Sequence, residues 1–155
     1  MSSKHQLTGM TGVYLVAARL SSLGFIVSPT SRSAYGADLL VTDAKCKRSY
    51  AVQVKTNSVN FRYWLLSRHA KEVYSRNLIY ALVNLRDGQP EYFLVPSPTI
   101  ARHVRFSPRS KTRKADSYSV HLEDIAKYKE KWRVFKNTQG PTTPSSRRAK
   151  RRRAA

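Results

Sequence analysis

The segment from Tyr35 to Thr56 constrains the fold more than any other part of the chain. It holds two short apolar runs, Gly36-Ala37-Asp38-Leu39-Leu40-Val41 and Ser49-Tyr50-Ala51-Val52-Gln53-Val54-Lys55-Thr56, separated by a polar turn from Asp43 to Ser49. Successive strand side chains alternate between faces, so Val52 and Val54 point one way and Gln53 and Lys55 the other. Pairing of the two runs through the turn brings Asp38 near the Gln53/Lys55 face. A carboxylate, an amide oxygen and an ammonium then reach one point, a set suited to a divalent cation and a phosphodiester.

The flanking sequence supplies cover for such a pair. From Thr8 to Leu23, Val13, Val16, Leu20 and Leu23 recur at helical spacing and Gly24 follows at the stopping position, so a helix packs on the sheet. Phe25 to Ser28 reads as a strand, and Pro29 to Gly36 as a loop. Ser67 to Ser75 begins a short helix at a Ser cap. Leu78 to Leu85 is a buried strand, turned at Asp87-Gly88 onto its partner Glu91 to Pro96. Ser97 caps a helix through Val104, with Pro98 at the first helical position. The predicted order is αβββαββα, an α/β fold with a mixed β-sheet flanked by helices. Leu122 to Phe135 is expected to form a closing helix with a docked aromatic end. Residues 1–140 read as a single domain and 141–155 as a disordered basic tail, too polar to bury.

Gly36-Ala37-Asp38 followed by Gln53-Val54-Lys55, behind a helix and the strand Phe25-Ile26-Val27, resembles the PD-(D/E)XK, or restriction-endonuclease-like, nuclease superfamily. The resemblance runs from Thr8 to Val104. Gln53 stands where most members carry an acid, as in some intron-encoded homing endonucleases of the superfamily. The resemblance implies a restriction-endonuclease-like sheet and DNA cleavage by Asp38, Gln53 and Lys55. It further implies Mg²⁺, or Mn²⁺ in its place, at Asp38, the Gln53 side-chain oxygen and the Val54 carbonyl, with Lys55 positioning the attacking water. One departure is large. Members often carry a Glu on the first helix, yet nothing from Met1 to Ala37 is acidic, and Val13 and Arg19, which flank the apolar stripe there, cannot replace it. A catalytically degenerate nuclease-fold module that binds DNA or RNA is therefore the alternative, and an RNA-associated basic protein a third.

Charge favours the same partners. Lys and Arg number 29 against 9 Asp and Glu, a net +20, which favours polyanions, DNA ahead of RNA. Arg147, Arg148, Arg151, Arg152 and Arg153 in the tail are nucleic-acid contacts in this reading. Arg109, Lys111, Arg113 and Lys114 sit in a loop-like stretch that is either a solvated face or a phosphate-tracking loop. Arg32, in the loop entering the Asp38 strand, is either a phosphate donor or part of a solvated turn. In Phe61-Arg62-Tyr63-Trp64 the aromatics either stack on bases or seal the core. Packing is the expectation for Trp64, and Arg62 is left open as a phosphate contact. The lone Cys46 has no intramolecular partner, and His5, His69, His103 and His121 lack zinc spacing, which fits a reducing cytoplasm. No apolar run approaches the roughly 20 residues of a membrane span, so no membrane partner is expected. A homo-oligomer is compatible with all of this.

Overall fold

A computed structural model describes residues 4–31, 36–59, 61–72 and 75–136. The first helix, α1 (Lys4–Ser22), starts earlier than the apolar spacing suggested and ends where Gly24 takes a left-handed φ of 88°. Three antiparallel strands follow: β1 (Phe25–Pro29), β2 (Leu39–Asp43) and β3 (Ser49–Asn57). The chain then crosses over through β4 (Tyr63–Leu66) and α2 (His69–Glu72) to β5 (Leu78–Asn84), which lies parallel to β3, and returns antiparallel as β6 (Glu91–Pro96). The resulting mixed sheet has the order β1-β2-β3-β5-β6. Next comes α3 (Ser97–His103), so the predicted order αβββαββα is present with β4 added inside the crossover.

Burial explains the strand sequences. The β5 run Leu78-Ile79-Tyr80-Ala81-Leu82-Val83 is apolar throughout because the strand is central and covered on both faces. Ile79, Ala81 and Val83 join Leu39, Val41, Val52 and Val54 beneath Val16 and Leu20 of α1. Tyr80 and Leu82 join Phe93, Val95 and Ile100 on the other face, with Trp64, Leu66, Val120 and Ile125. Trp64 is thus core, and its indole N–H donates to the Val83 carbonyl at 2.9 Å.

Two stretches depart from the sequence expectation. The segments around Tyr63 and from Arg105 onward form a second sheet, in which β8 (Ser117–His121) pairs with both β4 and β7 (Arg105–Ser107). The closing helix is also broken. After α4 (Leu122–Ile125) the chain makes two 3₁₀ turns, Ala126–Tyr128 and Trp132–Phe135. Between them Lys129 bridges to Phe93, and the Glu130 N–H donates to the Tyr92 carbonyl at 2.8 Å, with Glu130 at φ 53°. Pairing with the open edge of β6 competes successfully with helix continuation there. The aromatic end docks as expected: Trp132 and Phe135 are buried, and the Tyr50 hydroxyl donates to the Phe135 carbonyl.

Candidate functional site

The ladder between β2 and β3 aligns Leu39 with Val52 and stops there, whereas β3 remains paired with β5 as far as Asn57 and Asn84. From Gln53 onward, therefore, the edge of β3 that faces β2 has no β2 partner. Asp38 sits at this opening. Its backbone N–H donates to the Val52 carbonyl at 2.8 Å and its own carbonyl accepts from Thr30 at 3.0 Å, which ties the residue between β1 and β3. Its carboxylate Oδ2 accepts the Val54 N–H at 2.7 Å. In a strand the N–H and C=O of one residue lie along the same edge, so the Val54 carbonyl belongs to this opening too.

Asp38 and Val54 also line a cavity of about 310 Å³ together with Gln6, Gly9, Met10, Val13 and Tyr14 of α1 and Pro29, Thr30 and Ser31. Gln53 and Lys55, both half-buried, align with Tyr80 and Leu82, and so project from the face opposite α1. The structure thus joins Asp38 directly to Val54. The sequence placed Asp38 near the Gln53/Lys55 face, whereas its carboxylate lies at the strand edge on the Val54 N–H and borders the cavity under α1, which neither Gln53 nor Lys55 lines. Tyr80, across from Gln53, has its phenol pushed above its ordinary pKa by burial, which keeps it neutral near pH 7.

The helix wall of the cavity differs from the sequence expectation. Val13 lies in it, but Arg19 is elsewhere, its guanidinium 5.9 Å above the Trp132 ring. Gln6 is the polar α1 residue that sequence reasoning missed. An amide at that end of the helix was a readable signal, passed over because the apolar stripe begins later. No group of three or more His, Cys, Asp or Glu is placed to hold a metal ion among the described residues. The donor set at the opening is thus one carboxylate, one backbone carbonyl and neighbouring amides. Such a set suits an ion that keeps several waters, as Mg²⁺ does, and does not suit a cage built of protein ligands.

The remaining predicted contacts are spread widely. Arg62 is exposed just before β4, and Arg109, Lys111, Arg113 and Lys114 are exposed between β7 and β8. Arg32, Arg147, Arg148, Arg151, Arg152 and Arg153 lie outside the described residues.

A helix followed by an antiparallel β-meander, then a crossover to a parallel strand and its hairpin partner, defines the restriction-endonuclease-like fold, and this chain has it. Among solved structures it is similar to a bacterial homing endonuclease, I-Ssp6803I, at 15% identity with a TM-score of 0.53, covering 86% of this chain and 91% of that one. A second likeness is to Hjc, a Holliday junction resolvase of the archaeal hyperthermophile Archaeoglobus fulgidus, at 10% identity with a TM-score of 0.49, covering 76% and 87%. No protein-family model and no curated protein sequence matches the chain.

Proposed function

We propose that this protein is a divalent-metal-dependent DNA endonuclease whose site is the opening between β2 and β3. The observation that carries the reading is the Asp38 carboxylate, held 2.7 Å from the Val54 N–H at an uncovered strand edge that borders a cavity. Asp38 and the Val54 carbonyl would hold Mg²⁺ or Mn²⁺ at this edge beside a phosphodiester, and the Gln53 amide oxygen would join them by turning to the edge from the face opposite α1. When bound, the ion supplies a Lewis acid for the phosphoryl oxygen and lowers the pKa of a coordinated water. Lys55, two residues beyond Gln53 on the same strand, would position the attacking water and offset negative charge on the phosphate. The hydrogen bond from Val54 fixes the Asp38 carboxylate before any ligand arrives, which reduces the ordering cost of binding.

The excess of cations holds the substrate. Counterion release then makes affinity fall steeply with salt, by close to one logarithmic unit per tenfold salt for each neutralised phosphate. Removing residues 147–153, which include Arg147, Arg148, Arg151, Arg152 and Arg153, is expected to flatten that slope measurably in fluorescence-anisotropy titrations on duplex DNA. An unchanged slope would remove these residues from the contact set.

The acid-free wall of α1 favours a second reading, a nuclease-fold module that binds nucleic acid without cutting it. Nicking assays with Mg²⁺ and Mn²⁺, run beside Lys55→Ala, separate the two. Gln53→Glu sharpens the comparison. With residue 53 turned to the edge, a second carboxylate should tighten Mg²⁺ binding by about tenfold or more in calorimetry, since hard cations are held chiefly by ligand charge. If wild type and Gln53→Glu bind Mg²⁺ equally weakly and neither cuts, the binding module is the function.

A further inference from the structure

The outward face of the small sheet carries chemistry that the Asp38 opening leaves unused. Its register aligns Tyr63 with His121 and Leu65 with Ser119, while the alternate residues Trp64 and Val120 turn into the core. On the outward side Phe61 stacks on Tyr63, with ring centroids 5.1 Å apart and planes 17° from parallel. Tyr63 in turn stacks on His121 at 5.6 Å and 28°. The buried pairs of this protein are arranged differently, Trp64 with Phe93 at 59° and Tyr50 with Phe135 at 82°. The outer stack is thus a column of near-parallel rings, and it ends at Phe61, which is 52% exposed.

Hydrogen bonds anchor the backbone that carries the column. Asn57, buried at the end of β3, donates its side-chain amide to the carbonyls of Phe61 at 2.9 Å and Tyr63 at 3.2 Å, and accepts the Val59 N–H at 3.0 Å. The Leu122 N–H holds the Arg62 carbonyl at 2.8 Å. The charge beside the column is positive. Arg113 lines a groove of about 540 Å³ with Tyr63, Leu65 and His121, and Arg109, Lys111 and Lys114 are exposed on the same connection. Asp116, the acid on that connection, also lines the groove and accepts the backbone N–H of Arg109 at 2.8 Å.

We propose that this face is a stacking platform for unpaired bases of a DNA strand, with the cations of the β7–β8 connection on its phosphates. A base has a free ring face only when it has left the duplex, and near-parallel rings beside cations match that ligand. A protein partner is disfavoured because the connection that borders the groove carries Arg109, Lys111, Arg113 and Lys114 against Asp116 alone. The choice of DNA over RNA rests on the function proposed above. The platform itself does not require the Asp38 opening to be active.

The test is anisotropy on the full chain without divalent ion, so that cleavage plays no part. The probes are oligothymidylate of about 15 nucleotides, oligouridylate and a duplex, each matched in length to the span one such site covers. Phe61→Ala should weaken oligothymidylate binding about tenfold and duplex binding less than about twofold, since stacking serves unpaired bases alone. Phe61→Trp should restore the affinity and show quenched indole fluorescence on binding, which guards against a folding defect in the alanine variant. Equal losses on single strand and duplex, or no loss on either, would overturn the platform. A loss confined to oligouridylate would overturn its assignment to DNA.

Discussion

Replacing Asp38 with asparagine is expected to lower metal-dependent cleavage by at least about a hundredfold while leaving thermal stability close to wild type. A metal-held carboxylate contributes several kcal/mol to the barrier, and each 1.36 kcal/mol is a factor of ten in rate. The carboxylate also has a structural task, because it accepts the Val54 N–H at 2.7 Å where β2 no longer pairs with β3. An asparagine side-chain oxygen can accept the same hydrogen bond but brings no charge, so Asp38→Asn separates chemistry from structure. Asp38→Ala removes both, and should add a stability loss of about 1–3 kcal/mol from the stranded Val54 N–H. Denaturation and nicking assays on the two variants check the argument together. If Asp38→Asn cuts as well as wild type, the opening between β2 and β3 is not the active site.

The facing of the β3 side chains was legible because strand alternation is a local rule. Val52 and Val54 had to share a face, and the structure puts them under α1 while Gln53 and Lys55 face the other way. Asp38 was harder to place, since its carboxylate direction is set by the end of the β2 ladder, which depends on the register between two strands. The helix wall was half legible. Val13 reaches the cavity, but Arg19 is six residues further along, about 9 Å at 1.5 Å per residue, and meets Trp132 instead. That partner arrives from the far end of the chain, where no local pattern points to it. The second sheet was missed because its strands are only three to five residues long and the central one, β8, is serine-rich. Ser117-Tyr118-Ser119-Val120-His121 alternates correctly, yet it becomes a strand only when β4 and β7 pair on either side. The aromatic column and its Asn57 support follow from that pairing.

A methyl group added at Gly12 should destabilise the protein by about 2 kcal/mol, although alanine normally improves a helix interior by roughly 0.5–1 kcal/mol over glycine. Gly12 is buried where α1 crosses β3. A Cβ built there would lie 1.9 Å from the Thr56 hydroxyl oxygen, 3.0 Å from its Cβ and 3.1 Å from its Cγ2. Helix and strand must separate or Thr56 must turn, and Thr56 is branched at Cβ with its rotamer restricted by the strand. The same helix turn forms the wall over Asp38 through Gly9, Met10 and Val13, so displacing it would also disturb the candidate site. Gly9 provides the control, because a Cβ there meets nothing within 4 Å. Gly9→Ala should therefore raise stability by roughly 0.5–1 kcal/mol, the opposite sign from a substitution one turn away. Thr56→Ala is the second arm. It removes the two side-chain atoms beyond Cβ, and the hydroxyl it deletes is buried without a hydrogen-bond partner among the described residues. Combined with Gly12→Ala it should recover about 1 kcal/mol or more, a coupling typical of residues in direct contact. Thermal and urea denaturation of the wild type and these four variants measures all of this. Gly12→Ala at wild-type stability, with no coupling to Thr56, would mean that α1 does not press on β3 at this point and that the wall of the Asp38 cavity is looser than the packing indicates.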